Sequence, residues 1–284
     1  MMRIDAHQHY WKINRNDYGW ITPELPVLYR DFLEADLKPL LEKNKIDKTI
    51  VVQAAPTIEE TEFILSLSKN SETIAGIVGW IDIENPSWKE QLEKFRKDPK
   101  FVGIRIMIQD MPDENIILQP NYLEAFSYFE KLDIPVDLLV LSAQLPIVVE
   151  LLKHVSIRAV IDHIAKPDIN QGSIEPWKSQ IKQIAQYPNI YCKLSGMVTE
   201  AEHYNWTTEQ FIPYVQHIVN EFGLNRVMYG SDWPVCLLSA SYDDVFKLLK
   251  ETLPQNLTKD DEEGIFGGNA LEFYQLKKKQ LVNK

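Results

Sequence analysis

Short apolar, β-branched runs recur along the chain, and between them the apolar positions fall at helical spacing. The runs predict strands at RIDAH (3–7), TIVVQA (49–54), AGIVGWI (75–81), FVGIRIM (101–107), PVDLLV (135–140), RAVIDH (158–163), IYCKLSG (190–196) and RVMYGSD (226–232). Several are apolar on both faces, as strands covered by helices should be. The stretches between them predict helices, among them IEETEFILSLSKN after the second strand, NYLEAFSYFEKL after the fourth and SAQLPIVVELLKHV after the fifth. EPWKSQIKQIAQY follows the sixth strand and TEQFIPYVQHIVNEFG precedes the eighth. Strand and helix alternating about eight times predicts a TIM (β/α)8 barrel, one domain over residues 1–284. A dinucleotide-binding open sheet has no support, because no GxGxxG turn follows the first strand.

One segment breaks the alternation. WKINRNDYGWITPELPVLYRDF, about 11–32, is aromatic, proline-bearing and poor in strand formers. It predicts a long first βα loop lying over the barrel mouth, where this fold builds its sites.

Composition adds bounds rather than chemistry. The 284 residues are 45% hydrophobic and 25% charged, enough for a large core. A net charge of −11 argues against nucleic acid or an anionic membrane as partner. MMRIDAHQHYW has no apolar signal region, and no apolar run approaches the roughly 18 residues of a membrane span. Cys192 and Cys236 lie far apart with no CxxC spacing, which points to reduced thiols and a cytoplasmic setting. Homo-oligomerisation stays open.

The predicted strand ends carry the chemistry. Strand one finishes with His7 and His9, which a period of two puts on one side. Strand two ends near Gln53 and strand three near Trp80; strand four carries Arg105; strand six ends at His163; strand seven bears Lys193 and Ser195; strand eight ends at Asp232. Singly, each has a plain reading: a packed histidine pair, a satisfied core histidine, an aspartate that caps a turn before Pro234. Arg105 and Lys193 inside apolar strands are harder to dismiss, because a buried cation needs a partner or a ligand. Together these residues converge on one mouth and read as one active site. His154, His203 and His217 are expected at the surface, and Cys192 in the core.

The motifs that carry these residues identify a resemblance. IDAHQHYW, DYGWI, YRDFLEADLKPLL, VVQA followed by EET, GIVGWIDI, VGIRIMIQD, IDHIAKP, YCKLSGMVTEA, GSDWPVCLLSASY and GNALEFY run from about residue 3 to residue 276. The sequence resembles the amidohydrolase superfamily, in the branch that includes L-fuconolactone and L-rhamnonolactone hydrolases. The resemblance implies a distorted (β/α)8 barrel of the metal-dependent-hydrolase type that opens a lactone ring. It matches His7 and His9 to the first-strand HxH, His163 to the sixth-strand histidine and Asp232 to the eighth-strand aspartate. Binuclear relatives use a fourth-strand lysine or glutamate and a fifth-strand histidine. Here Arg105 stands on the fourth strand, where a guanidinium would repel a cation, and PVDLLV ends without histidine. The expectation is one divalent ion, zinc by resemblance, on His7, His9 and Asp232, or none.

For such a reaction Asp232 is the candidate base, with His163 and Arg105 as candidates to hold the oxyanion. Arg30, Gln53 and Lys193 are the candidates to address substrate hydroxyls or a carboxylate, and Trp11, Trp80 and Trp233 to supply flat walls for a sugar ring. A six-carbon aldonolactone is the favoured substrate. The competing readings are a zinc-dependent decarboxylase of the same branch and a non-catalytic metal- or sugar-binding barrel.

Overall fold

A computed structural model describes residues 2–276. Eight parallel strands pair in chain order, β1 (Ile4–Gln8), β2 (Lys48–Val52), β3 (Ile74–Gly79), β4 (Phe101–Met107), β5 (Val136–Leu139), β6 (Ala159–Ile161), β7 (Ile190–Leu194) and β8 (Val227–Tyr229). The helices between them are α1 (Glu34–Asn44), α2 (Ile58–Ser68), α3 (Trp88–Arg96), α4 (Pro120–Lys131), α5 (Leu145–Leu151), α6 (Trp177–Ala185), α7 (Thr208–Phe222) and α8 (Tyr242–Thr252). This is the expected parallel barrel, closed at its seam by few bonds. Asp232 donates its backbone N–H to the His7 carbonyl at 2.8 Å, and His9 donates to the Trp233 carbonyl at 2.7 Å.

The residues sort as the pleat requires. Val51, Ile104, Ile106, Ile161, Cys192 and Tyr229 face the helices, in the larger apolar cluster. Ile4, Ala6, Ile50, Val52, Val102 and Met228 belong to a second cluster with Ala270, Phe273 and Tyr274 of the short α10 (Asn269–Phe273) and the residues after it. The helix α9 (Lys259–Glu263) and a π-type turn, Gly264–Gly268, lead into α10 and bring Gly267 against Met2 and Arg3 at the start of β1.

Most strands end one to three residues earlier than expected, and at three of them a site residue is left beyond the sheet. β6 stops at Ile161, β7 at Leu194 and β8 at Tyr229, so His163, Ser195 and Asp232 stand on turns just past the sheet. His163, Ile164, Ala165 and Lys166 all have positive φ (53°, 49°, 61° and 46°), as does Asp232 at 56°. Left-handed backbone costs an L-residue about 1–2 kcal/mol. Two bonds hold the turn after β6: Trp177 Nε1 donates to the Ile164 carbonyl at 2.7 Å, and within the turn Lys166 N–H donates to the His163 carbonyl at 2.8 Å.

The first loop closes on itself through paired backbone bonds between Trp11 and Phe32, each 3.0 Å. Its Trp20 indole donates to the Ala54 carbonyl at 2.8 Å, which carries the loop across to the end of β2. No helix among the described residues is long and apolar enough to cross a membrane.

Candidate active site

A bulge in β1 prepares the histidine pair. Asp5 pairs with Thr49 and Gln8 with Val51, so β1 spends one extra residue over this interval. His7 and His9 then turn toward the mouth. Gly230 packs so closely that a side chain there would strike the His7 Cβ, and Gly196, at φ 61°, packs against the His163 ring.

Four polar groups meet at the mouth. His7 Nε2 and His9 Nε2 are 3.2 Å apart. Asp232 Oδ1 lies 3.3 Å from His9 Nε2, 3.7 Å from His7 Nε2 and 3.8 Å from His163 Nε2. The outer nitrogens are anchored: His9 Nδ1 on the Val52 carbonyl at 2.8 Å, His163 Nδ1 on Ser195 Oγ at 2.9 Å. All of them are buried.

Beneath them lies a charged core. Arg105 Nε donates to Asp162 Oδ2 at 2.9 Å, and its Nη1 to the Gln53 carbonyl at 3.1 Å. Lys193 Nζ bonds Asp137 and lies 3.1 Å from both Asp162 Oδ1 and His7 Nδ1. Tyr274 donates its hydroxyl to Asp137 at 2.9 Å, so the network runs from the closed end of the barrel to the mouth.

Burial first, then the Lys193 charge, holds His7 well below the ordinary histidine range. Burial brings His163 down to about 4, so both rings are neutral near neutral pH. Burial would raise Asp232, yet His163, the His9 bond and His7 together hold it below the usual carboxylate range. It is ionised across the physiological range. Burial raises Asp137 to about 6, whereas Lys193, His7 and Arg105 outweigh burial and keep Asp162 low.

His7, His9 and Asp232 can each turn one ligand atom to a common point, a donor set suited to a divalent ion. The fit extends outward: Asp162 Oδ1, buried and 3.1 Å from Lys193 Nζ, also faces His7 Nδ1 at 3.3 Å, where a metal-bound imidazole would present its N–H. His7, Asp162 and His163 form a second grouping, but Arg105 and Lys193 already neutralise Asp162. That agrees with one ion rather than two.

A cavity of about 150 Å³ opens above these groups, with His9, Arg105, His163 and Asp232 in its wall. The amidohydrolase family model matches residues 4–276. The chain belongs to the amidohydrolase family. An L-fucono-1,5-lactonase of Burkholderia ambifaria is 37% identical over 279 residues, covering 96% of each chain. An L-fucono-1,5-lactonase of Burkholderia multivorans is 34% identical over 289 residues, covering 97% of this chain and 96% of its own. The crystal structure of an amidohydrolase from Burkholderia multivorans with bound zinc superposes with a TM-score of 0.92 at 33% identity, covering 97% of this chain and 99% of that one.

Several residues expected to face substrate do so in no direct way in this amidohydrolase. Arg30 is half-exposed, bonded to Asp36 Oδ1 at 3.0 Å and laid over the Phe32 ring, because the start of α1 captures its charge. Trp11 is buried, its indole spent on the Arg30 carbonyl, and it anchors the loop rather than walling the cavity. Trp233 is buried against Phe32 and Tyr10. Trp80 is half-buried outside the cavity wall, its backbone held by Thr61. Lys193 is fully buried below His7, its charge taken by two carboxylates. Gln53 is buried, and neither of its amide atoms has a hydrogen-bond partner. His217 is buried as well, bonded to the Lys178 carbonyl at 2.9 Å, not at the surface.

The wall instead includes Trp20, Lys166, Gln109 and Asp110, which the strand-end reading passed over because they sit on loops. Asp137 and Asp162 were also missed. Their signal was available: a carboxylate within an apolar strand needs a partner as much as Arg105 or Lys193 does.

Proposed function

We propose that this amidohydrolase opens the ring of a sugar lactone, with a six-carbon aldonolactone such as L-fucono- or L-rhamnonolactone as the substrate. The observation that carries the reading is the ionised Asp232 carboxylate, set beside three histidines and Arg105 in the wall of a small cavity. At about 150 Å³ the cavity falls below the roughly 300–1,000 Å³ of sites for drug-sized ligands, which suits one small ring. The likeness to L-fucono-1,5-lactonases supports the same substrate class.

In the reaction, water oxygen adds to the lactone carbonyl carbon while Asp232 takes the water's proton. Arg105 and His163 stabilise the oxyanion that forms; one well-placed donor of this kind is worth about 3–4 kcal/mol. The carbonyl then re-forms, the ring C–O bond breaks, and Asp232 returns the proton to the departing ring oxygen. The product is a hydroxy acid, which ionises and releases one proton. His7, His9 and Asp232 would hold a divalent ion, which when bound would supply Lewis-acid polarisation of the carbonyl.

A panel of aldonolactones assayed with a pH indicator tests the reading. Acid release from L-fucono- or L-rhamnonolactone is the expected result, and activity on no member of the panel overturns it. A decarboxylase acting on an aromatic acid would shift the indicator the other way.

A further inference from the structure

The turn after β6 is left-handed through four successive residues that carry side chains, His163 to Lys166, at φ 53°, 49°, 61° and 46°. Such backbone is costly for L-residues and persists where the surrounding structure imposes it, often at functional sites. Here it achieves a placement. The bond from Lys166 N–H to the His163 carbonyl closes a step in which side chains three residues apart lie one above the other. His163 and Lys166 both enter the cavity wall, while Ile164 and Ala165 between them are buried in the larger apolar cluster. The strained turn thus brings an ammonium group into the same wall as His163.

That ammonium is balanced but not spent. Glu200 Oε1 lies 3.8 Å from Lys166 Nζ, close enough to offset its charge and too far to accept a hydrogen bond. Glu200 is itself fixed, by the Thr199 hydroxyl at 3.3 Å and, through its backbone carbonyl, by Asn170 N–H at 2.9 Å. Lys166 Nζ makes no hydrogen bond to any described residue, so its N–H groups are open to a ligand in the cavity.

Gln109, in the same wall, supplies the complement. Its Nε2 donates to Asp110 Oδ1 at 3.1 Å. A carboxylate only accepts, which fixes the amide's orientation and leaves Gln109 Oε1 buried without a hydrogen-bond partner. The wall therefore offers an unspent donor and an unspent acceptor. Both of its cations are matched by carboxylates, Arg105 by Asp162 and Lys166 by Glu200, which leaves no spare positive charge for an anionic ring. A hydroxyl is neutral and both donates and accepts, so hydroxyls satisfy both groups.

We propose that Lys166 and Gln109 form the subsite that reads the ring hydroxyls of the substrate, Lys166 Nζ donating to one hydroxyl oxygen and Gln109 Oε1 accepting from a hydroxyl. This rests on the lactone reading above and adds to it the residues that tell a hydroxylated ring from a bare one. A ring without hydroxyls leaves the Gln109 oxygen buried and unpaired, and the discrimination arises from that cost.

Two measurements on the intact protein test it, with Lys166→Met and Gln109→Leu as the variants. The first is the ratio of kcat/KM for L-fuconolactone to that for δ-valerolactone, which carries no hydroxyls. The ratio should fall about 10–100-fold in Lys166→Met, which loses a charged donor, and about 3–10-fold in Gln109→Leu, which loses a neutral acceptor. A ratio that stays at the wild-type value in both variants overturns the proposal. The second is calorimetric affinity for the corresponding lactam, whose ring amide keeps the carbonyl and the hydroxyls and resists hydrolysis. It should weaken by similar factors in the two variants. A wild type that does not bind the lactam, or variants that bind it equally well, overturn the proposal.

The lactam also separates two failures. Affinity lost in the variants, with no lactone turnover in the wild type, keeps the subsite and removes the lactonase reading. Lactone turnover with unchanged lactam affinity removes the subsite alone. Both side chains are only partly buried, and should one variant fail to fold, the other decides.

Discussion

Asp232 Oδ1 sits 3.3 Å from His9 Nε2, and the backbone of the same two segments closes the barrel, through Asp232 N–H on the His7 carbonyl and His9 N–H on the Trp233 carbonyl. The seam of the fold and the reacting groups are one structure. The left-handed backbone of Asp232 is what lets its amide bond across the seam while its carboxylate faces the histidines.

Asp232→Asn keeps the shape and the backbone bonds but cannot take a proton from water. Turnover of an aldonolactone should fall about 10²–10⁴-fold, the usual worth of a positioned acid–base group. Binding of the hydroxy-acid product, measured by calorimetry, should change little. Full turnover in the variant would remove Asp232 as the base.

Asp5 is a second element of the seam. Its Oδ1 accepts from Ser231 N–H at 2.9 Å and His7 N–H at 3.2 Å, and its Oδ2 from the Tyr242 hydroxyl at 3.0 Å. Asp5→Ala leaves buried donors without an acceptor, at about 1–3 kcal/mol for each unsatisfied group. Asp5→Asn keeps an acceptor, and burial has already raised the native carboxyl to about 6. Urea denaturation at pH 7 should show a large loss for the alanine variant and a small one for asparagine. Equal losses would mean that the carboxylate charge, rather than its acceptor geometry, holds the seam.

Much of this was legible in the sequence, and the limits have physical causes. FVGIRIM matches β4 residue for residue, because alternation within a continuous run is a local signal. RAVIDH and RVMYGSD were read too long: the chain leaves the sheet at Ile161 and Tyr229 through left-handed turns at non-glycine residues, which no residue pattern announces. HxH, His163 and Asp232 could be gathered by strand count alone, and they do meet. Side chains on the first loop could not be sorted. Trp11 and Trp20 look alike in sequence, but the Trp11–Phe32 bridge buries the first and leaves the second over the cavity. The partners of Lys193 were hidden because they come from other segments, Asp137 from β5 and Asp162 from the turn after β6, and only strand pairing brings them together.

Trp20 is therefore the aromatic to test. Its indole bonds the Ala54 carbonyl and packs edge-on against Trp11, and its ring walls the cavity without touching Asp232 chemistry. Trp20→Ala should raise KM, on the order of tenfold for one lost aromatic wall of about 1–2 kcal/mol, with a smaller change in kcat. A pure kcat loss would instead make the ring part of the catalytic step.

Glu60 links the same loop to pH. It is buried beneath the loop, accepting from the Tyr18 hydroxyl and, at 3.2 Å, from Ala54 N–H, with Arg15 Nη2, which also bonds Asp17, at 3.5 Å. Burial raises it from 4.5 to about 7, against the pull of those bonds and of Arg15. Below pH 4.5 the carboxyl is neutral whether the chain is folded or unfolded. Between 4.5 and 7 the unfolded chain ionises first, so stability present at low pH is lost as pH rises through 7, by up to about 3 kcal/mol. An amide does not titrate, so in Glu60→Gln this loss is absent. Urea denaturation at pH 5 and pH 8 should show the difference between wild type and Glu60→Gln shifting toward the variant by a large part of that amount. A difference that stays constant with pH would mean that Glu60 is ionised in the folded protein at pH 5, with Arg15 and Tyr18 outweighing its burial.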